Sequence, residues 1–173
     1  MSVAIRAARP ADYEAIARLT VAAYEADGQL EGEIGYEKVL ADVPTRAAHG
    51  EMFVAVDEDT DLPLGAVTFV LPGGRYSELA RDGEAEFRTL AVDPAAQRRG
   101  VARALVEACV DRASALGCDA VVISVRDFAE TAQRLYAKFG FVRLPERDWR
   151  PMPQVQLLAM HLTLPPEGGI EPF

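Results

Sequence analysis

Several things this sequence lacks narrow its reading before anything else does. Two cysteines, Cys109 and Cys118, are too few for a disulfide framework. Cys109 falls on an apolar helical stripe and Cys118 opens an apolar strand, so both are expected as inert core thiols in a reducing, cytoplasmic setting. The two histidines, His49 and His161, cannot supply a cluster with metal spacing, and no metal is expected. No apolar run approaches the roughly 20 residues of a membrane span. The N-terminus MSVAIRAARPADYEAI has no basic head followed by a long apolar block, so no secretory signal and no membrane partner are expected. Positive charge is also short: 18 Lys and Arg stand against 27 Asp and Glu, a net charge of −9. Nucleic-acid phosphates demand the opposite surface, so no nucleic-acid partner is expected; the balance either suits a cationic partner or serves only to keep the chain soluble. Neither G-x-x-x-x-G-K-S/T nor a G-x-G-x-x-G after a strand occurs, which removes the commonest phosphate loops.

What is present is one ordinary domain. Half of the 173 residues are apolar, which is normal for a globular chain and enough for a core. No repeat and no linker divides it, so residues 1–164 read as a single domain. The proline- and glycine-rich residues 165–173 read as a loose tail.

The chain is organised around Ala85 to Leu116, which reads as strand, turn and helix. Phe87, Leu90 and Val92 form an apolar, strand-like run that stops at Asp93-Pro94, because proline cannot donate to a ladder. After Gly100, the residues Ala102, Leu105, Val106, Cys109, Ala113 and Leu116 recur at helical spacing as one buried stripe, and Gly117 closes it. Between them lies Gln97-Arg98-Arg99-Gly100-Val101-Ala102. Two cations and a glycine at a helix start suit an anion, because unpaired N–H groups and the helix dipole both point there.

Along the rest of the chain, Val3 to Ala8 reads as a strand, and a helix with Tyr13, Ile16, Ala17 and Leu19 to Tyr24 on its apolar side follows Asp12. Glu25 to Gly35 is an acidic, glycine-rich segment. A shorter helix, interrupted by Pro44, spans about Tyr36 to Ala48. Met52–Val56 and Leu64–Leu71 are strands joined by Asp57-Glu58-Asp59-Thr60-Asp61, a solvated turn without the glycine and closing glutamate of a calcium loop. Asp119 to Val125 reads as a strand buried on both faces, Glu130 to Phe139 as a helix closed by Gly140, and Phe141-Val142 as the start of a strand. Val155 to Leu164 is the last strand, with His161 on its less apolar face. The order β-α-α-β-β-β-α-β-α-β-β implies parallel pairing across the central helix and antiparallel hairpins elsewhere. The expected fold is therefore a mixed α/β one, with a central twisted sheet of about six to seven strands flanked by about four helices.

Leu90-Ala91-Val92-Asp93-Pro94 followed by Gln97-Arg98-Arg99-Gly100-Val101-Ala102 resembles the acetyl-CoA motif Q/R-x-x-G-x-G/A of the GCN5-related N-acetyltransferases (GNAT). Leu135-Tyr136-Ala137-Lys138-Phe139-Gly140-Phe141 resembles the family's L-Y-x-x-x-G-F motif. The same element order is implied by this resemblance, which covers most of the chain. One departure is Ala129, which stands seven residues before Tyr136, where the family often has a cofactor-contacting asparagine.

The resemblance implies an N-acetyltransferase that takes acetyl-CoA as co-substrate and transfers its acetyl group directly to a primary amine. Such an amine is protonated at neutral pH, with a pKa of about 10, so a base must remove a proton and an acid should protonate the departing thiolate. Tyr136 is the candidate acid. Glu86 is the candidate base, with Glu84 as runner-up. Backbone amides of Leu90, Ala91 and Val92 would pair with the pantetheine arm and polarise the thioester carbonyl, and the Gln97–Ala102 loop, with Arg98, Arg99, Gly100 and Val101, would hold the pyrophosphate. The resemblance also implies that acceptors enter beside Glu25–Glu33, whose four carboxylates favour a cationic acceptor, either a small-molecule amine or a peptide. Transfer of another acyl group, acetylation of a protein N-terminus, and a non-catalytic acyl-CoA-binding module that senses or scaffolds remain as alternatives. A homodimer is allowed for.

Overall fold

The computed structural model describes residues 2–31 and 35–165. Gly32, Glu33 and Ile34 of the expected acidic, glycine-rich segment, and the expected loose tail beyond Pro165, lie outside the described residues. The described chain falls into two compact units. One holds residues up to Val70, Gly74–Tyr76 and Phe87–Cys109; the other holds Leu71–Gly73, Ser77–Glu86 and the chain from Val110 onward.

In the first unit, β1 (Val3–Ala7) pairs antiparallel with β2 (Glu51–Asp57), and β2 with β3 (Pro63–Val70). One face of this hairpin array presents Met52, Val54, Val56 and Ala66. Ile16 of α1 (Tyr13–Ala26) and Val43 close over it. The entry to α1 is fixed by Asp12, whose carboxylate takes the Arg9 N–H at 2.8 Å and the Arg6 guanidinium at 2.7 and 2.9 Å. The Arg6 hydrogen bond holds that carboxyl below its ordinary value against the opposing effect of burial. Asp57 closes the β2–β3 turn by accepting the N–H groups of Asp59 and Thr60 on Oδ1, so the acidic run is a self-satisfied hairpin turn.

The interrupted helix is two helices, α2 (Tyr36–Ala41) and α3 (Val43–His49). The break falls at Asp42, not at Pro44. Asp42 caps α3 by accepting the Thr45 N–H, and Pro44 sits in the first helical turn, where no N–H partner is needed. Gly65 matters on β3: a Cβ there would lie 2.8 Å from the Ala91 carbonyl oxygen and 2.8 Å from Val101 Cγ1, so only glycine lets the three segments approach.

In the second unit, the first residues of β4 (Glu84–Val92) pair in parallel with β5 (Ala120–Arg126), as the crossover through α4 (Val101–Ala115) requires. β5 pairs antiparallel with β8 (Val155–Thr163), which also pairs with β6 (Val142–Arg143) and β7 (Trp149–Met152). α5 (Glu130–Phe139) precedes β6 and ends at Gly140, whose φ of 101° only glycine adopts without strain.

The mixed α/β class stands, with eight strands and five α-helices among the described residues where six to seven and four were expected. The extra helix is the α2/α3 division. The extra strand is β7, which holds Arg150 and Pro151 and has no apolar alternation; proline is tolerated there because it pairs only with β8. α4 ends one residue before Leu116, which is 42% exposed and so not part of the buried stripe. Cys109 is buried, and burial pushes its thiol well above the ordinary value; Cys118 is only partly buried. Among the described residues, no helix is long and apolar enough to cross a membrane.

Candidate functional site

The end of β4 is irregular. Thr89 has φ of +55°, a left-handed conformation that costs a β-branched residue about 1–3 kcal/mol and breaks the regular strand there. Beyond it, Ala91 packs with Leu19 and Ala23 of α1, so alternation turns Leu90 and Val92 to the opposite side. The strand stops where Asp93 donates its N–H to the Leu64 carbonyl and accepts the Ala95 N–H on Oδ1, opening a 3₁₀ turn over Pro94–Ala96.

The following loop carries two more left-handed residues, Arg98 at φ +66° and Gly100 at φ +75°, immediately before α4. A Cβ placed on Gly100 meets nothing within 4 Å, so the space beside this backbone is open. The first N–H groups of α4 have no partner within the helix, and Gln97 and Arg98 are exposed beside them. This arrangement fits a pyrophosphate. The two arginines differ in one respect that the sequence reading did not separate. Arg99 is partly buried and its Nη2 donates to Asp57 Oδ2 at 3.1 Å, which ties the loop to the β2–β3 turn. Asp57 is held below its ordinary value by the Asp59 N–H first, and then, against burial, by Arg99 and the Thr60 N–H.

In the second unit, the two candidate carboxylates are both engaged. Glu86 is 1% exposed, and its Oε1 accepts the N–H groups of Glu78, Leu79 and Ala80 at 3.0–3.1 Å. It anchors the segment that leads into β4. Glu84 meets Arg147 through two hydrogen bonds of 2.9 Å and takes the Arg81 N–H at 2.8 Å. Burial works to raise the Glu84 carboxyl, but Arg147, the Arg81 N–H and both guanidinium charges outweigh it, so the net shift is downward. A carboxylate paired on both oxygens with a guanidinium, as Glu84 is with Arg147, is a weak proton acceptor. Arg147 also donates to the Leu79 carbonyl, so the same segment is fixed from both sides.

Tyr136 is buried on α5, with its ring 5.8 Å from Phe141 at 59°. Ala129 is the N-cap of α5 and supplies no side-chain acceptor; the Gln133 amide instead donates to the carbonyls of Arg126 and Asp127. Thus Leu90 to Ala102 gather in the first unit, whereas Glu84, Glu86 and Tyr136 belong to the second.

Sequence reasoning missed two features. Arg147 is 63 residues from Glu84, and no local pattern announces the pair. Arg46 lies three residues after buried Val43, on a stripe whose spacing should have marked it as a cation turned inward. Among the described residues, no three His, Cys, Asp or Glu side chains gather where a metal could be held.

Comparison with known proteins agrees with this fold. The family model described as "Acetyltransferase (GNAT) family" matches residues 12–141. A [ribosomal protein bS18]-alanine N-acetyltransferase of Haemophilus ducreyi is 38% identical over 71 residues, covering 40% of this chain and 49% of that protein. The chain therefore spans about half the length of the curated relative it matches. Among solved structures, the ribosomal-protein-S18-alanine N-acetyltransferase from Escherichia coli superposes with a TM-score of 0.70 at 21% identity, over 99% of this chain and 100% of that one. A GNAT-family acetyltransferase from Staphylococcus aureus gives 0.73 at 11% identity, over 95% and 100%. The acetyltransferase yncA from Salmonella typhimurium, solved with acetyl-CoA, gives 0.65 at 22% identity, over 95% of each chain.

Proposed function

Because the chain belongs to the GNAT family of acetyltransferases, we propose that it is an acetyl-CoA-dependent N-acetyltransferase acting on a primary amine by direct transfer. The observation that carries this reading is the β4–loop–α4 segment, in which open, left-handed backbone at Arg98 and Gly100 leads straight into a helix start. Acetyl-CoA supplies the activated acetyl thioester. The Gln97–Ala102 backbone and Arg98 bind its pyrophosphate, Arg99 holds the loop in place, and the amides of Leu90, Ala91 and Val92 pair with the pantetheine arm. Glu86 accepts the ammonium proton through Oε2, the oxygen left over by the three N–H groups on Oε1. Tyr136 returns a proton to the sulfur. The balance is one N–C bond formed and one C–S bond broken; between ammonium and amide the nitrogen loses two protons, the first to Glu86 and on to solvent, the second replacing the proton that Tyr136 gives to the sulfur. A cytoplasmic location belongs to this proposal and is supported by the two free thiols.

The first test is cofactor binding. Gly100→Val puts a β-branched residue at φ +75° and fills the space that the phosphates need. Calorimetry should show CoA binding weakened about tenfold or more, at a cost of about 1–2 kcal/mol. Unchanged affinity in a folded variant would remove the cofactor assignment.

The acceptor is proposed to meet the acidic segment that follows α1. Glu25 stands in the last turn of α1, and the described residues beyond it carry Asp27 and Glu31, with Gly28 at φ +72°. Exposed charge pairs are each worth only about 0–1 kcal/mol, so the effect is collective. Changing Glu31 and Glu33 together to glutamine should lower kcat/KM at low salt and converge with the wild type as salt screens the field. Identical salt curves would sink an attractive role for this segment. Two of the relatives are named for an alanine of a ribosomal protein, so a protein N-terminus is the second reading and belongs in the acceptor panel.

A further inference from the structure

The first unit holds a buried cation that the transfer described above does not use. Arg46 of α3 is 4% exposed. Its Nη1 donates to the Val39 carbonyl at 2.9 Å, but Nε and Nη2 are buried with no hydrogen-bond partner. These two N–H groups share one edge of the planar guanidinium. Together they form the fork that takes two oxygens of a carboxylate. Burying charged donors without a partner is costly, and burial pushes the Arg46 guanidinium below its ordinary value.

The surroundings are aromatic and polar, with little opposing charge. Tyr24, Tyr36 and Tyr76 all lie within electrostatic reach of Arg46. The one acid among these neighbours, Asp42, spends its carboxylate on the Thr45 N–H as the cap of α3. The rings of Tyr24 and Tyr36 stand 6.3 Å apart, and the Thr89 side chain lies within electrostatic reach of the Tyr24 hydroxyl. Thr89 is the left-handed residue directly before Leu90, so the cluster reaches the part of β4 proposed to polarise the thioester. Arg88, one residue earlier, donates to the Tyr76 carbonyl at 2.7 Å and sits 5.9 Å from the Tyr76 ring centre.

We propose that the Arg46 fork binds a carboxylate of the acceptor, so that the acceptor is an amine bearing a free carboxylate, an amino-acid-like molecule. This inference rests on the acetyltransferase reading and names the substrate class of the same site. Arg46 is then a specificity residue, with Tyr24 and Tyr36 as the polar wall around the bound carboxylate. A zwitterion also suits the acidic segment after α1, which attracts the ammonium end. Neither free nitrogen touches solvent, so the carboxylate enters as neighbouring side chains part. A planar carboxylate is preferred because the fork offers two donors in one plane.

The test offers the protein and acetyl-CoA a mixture of the twenty amino acids and their twenty amides, with a polyamine and an alanine-terminated peptide alongside, and reads acetylated products by mass. Free acids should be acetylated at least about tenfold faster than the matching amides. Arg46→Gln should lower kcat/KM for the acids by about ten- to a hundredfold, chiefly through KM, leave the amides unchanged and so erase the selectivity. Arg46→Lys should keep part of it. Calorimetry on the CoA-loaded protein should show the N-acetyl product of the best acid binding, and its amide binding more weakly. A purely structural role would lower acids and amides alike, and that result overturns the inference. So does equal use of amides, or acetylation of the polyamine or peptide alone, both of which leave the acetyltransferase reading standing. If no amine is acetylated and CoA does not bind, that reading falls and this inference with it. Should Arg46→Gln fail to fold, the acid-to-amide ratio of the wild type decides.

Discussion

Replacing Tyr136 by phenylalanine is expected to lower kcat by about 10²–10⁴ while leaving the fold and the affinity for CoA nearly unchanged. The ring of Tyr136 is buried on α5 and packs 5.8 Å from Phe141, and a phenylalanine ring fills the same place. Only the hydroxyl is lost. A phenol stays protonated at neutral pH and so can donate to a departing thiolate, whereas the truncated ring cannot. The effect should appear in kcat and kcat/KM together, because the lost interaction exists only as the sulfur departs. Calorimetric CoA affinity and the thermal midpoint serve as the controls. Equal turnover in the variant, with acetyl transfer shown to be rate-limiting, would reduce Tyr136 to a packing residue.

The parts of the fold that were readable before the structure share a physical cause. α5 runs from Glu130 to Phe139 as expected, because an apolar face at helical spacing ends in a glycine that can adopt φ of 101°. The turn from β4 into α4 was visible because Pro94 and Gly100 punctuate it and Leu105, Val106, Cys109 and Ala113 recur behind it as buried residues. What was hidden depends on partners far along the chain. The Asp42 break between α2 and α3 looked like an effect of Pro44, since only the Thr45 N–H reveals which residue caps. β7 has no apolar alternation and exists because β8 offers it an edge. The site shows the same division. Its glycine loop follows from local chemistry, whereas the left-handed Thr89 runs against the preference of a β-branched residue and is imposed by its surroundings. The occupations of Glu84 and Glu86 follow from Arg147 and from the segment before β4, which no spacing rule places.

That occupation makes Glu86 the most informative carboxylate to change. Three backbone N–H groups converge on its Oε1, so Glu86→Ala removes the acceptor for all three and leaves the Glu78–Ala80 turn without its anchor. An unmade hydrogen bond at a shielded donor costs about 1–3 kcal/mol, and partial access of water to this segment trims the sum, so a loss of about 2–4 kcal/mol in stability is expected. Glu86→Gln keeps a carbonyl oxygen in the same place but without the charge, and charge-assisted bonds are about twice as strong as neutral ones. About half of the stability lost with alanine should therefore return. The rate separates the second role from the first. A base working through Oε2 is lost in both variants, so glutamine should still cost about 10²–10⁴ in kcat/KM although the fold is largely restored. An anchor alone would let activity recover with stability. Chemical denaturation of both variants beside their kcat/KM on one acceptor makes the comparison, and near wild-type turnover in Glu86→Gln would confine Glu86 to holding the loop and pass proton removal to water.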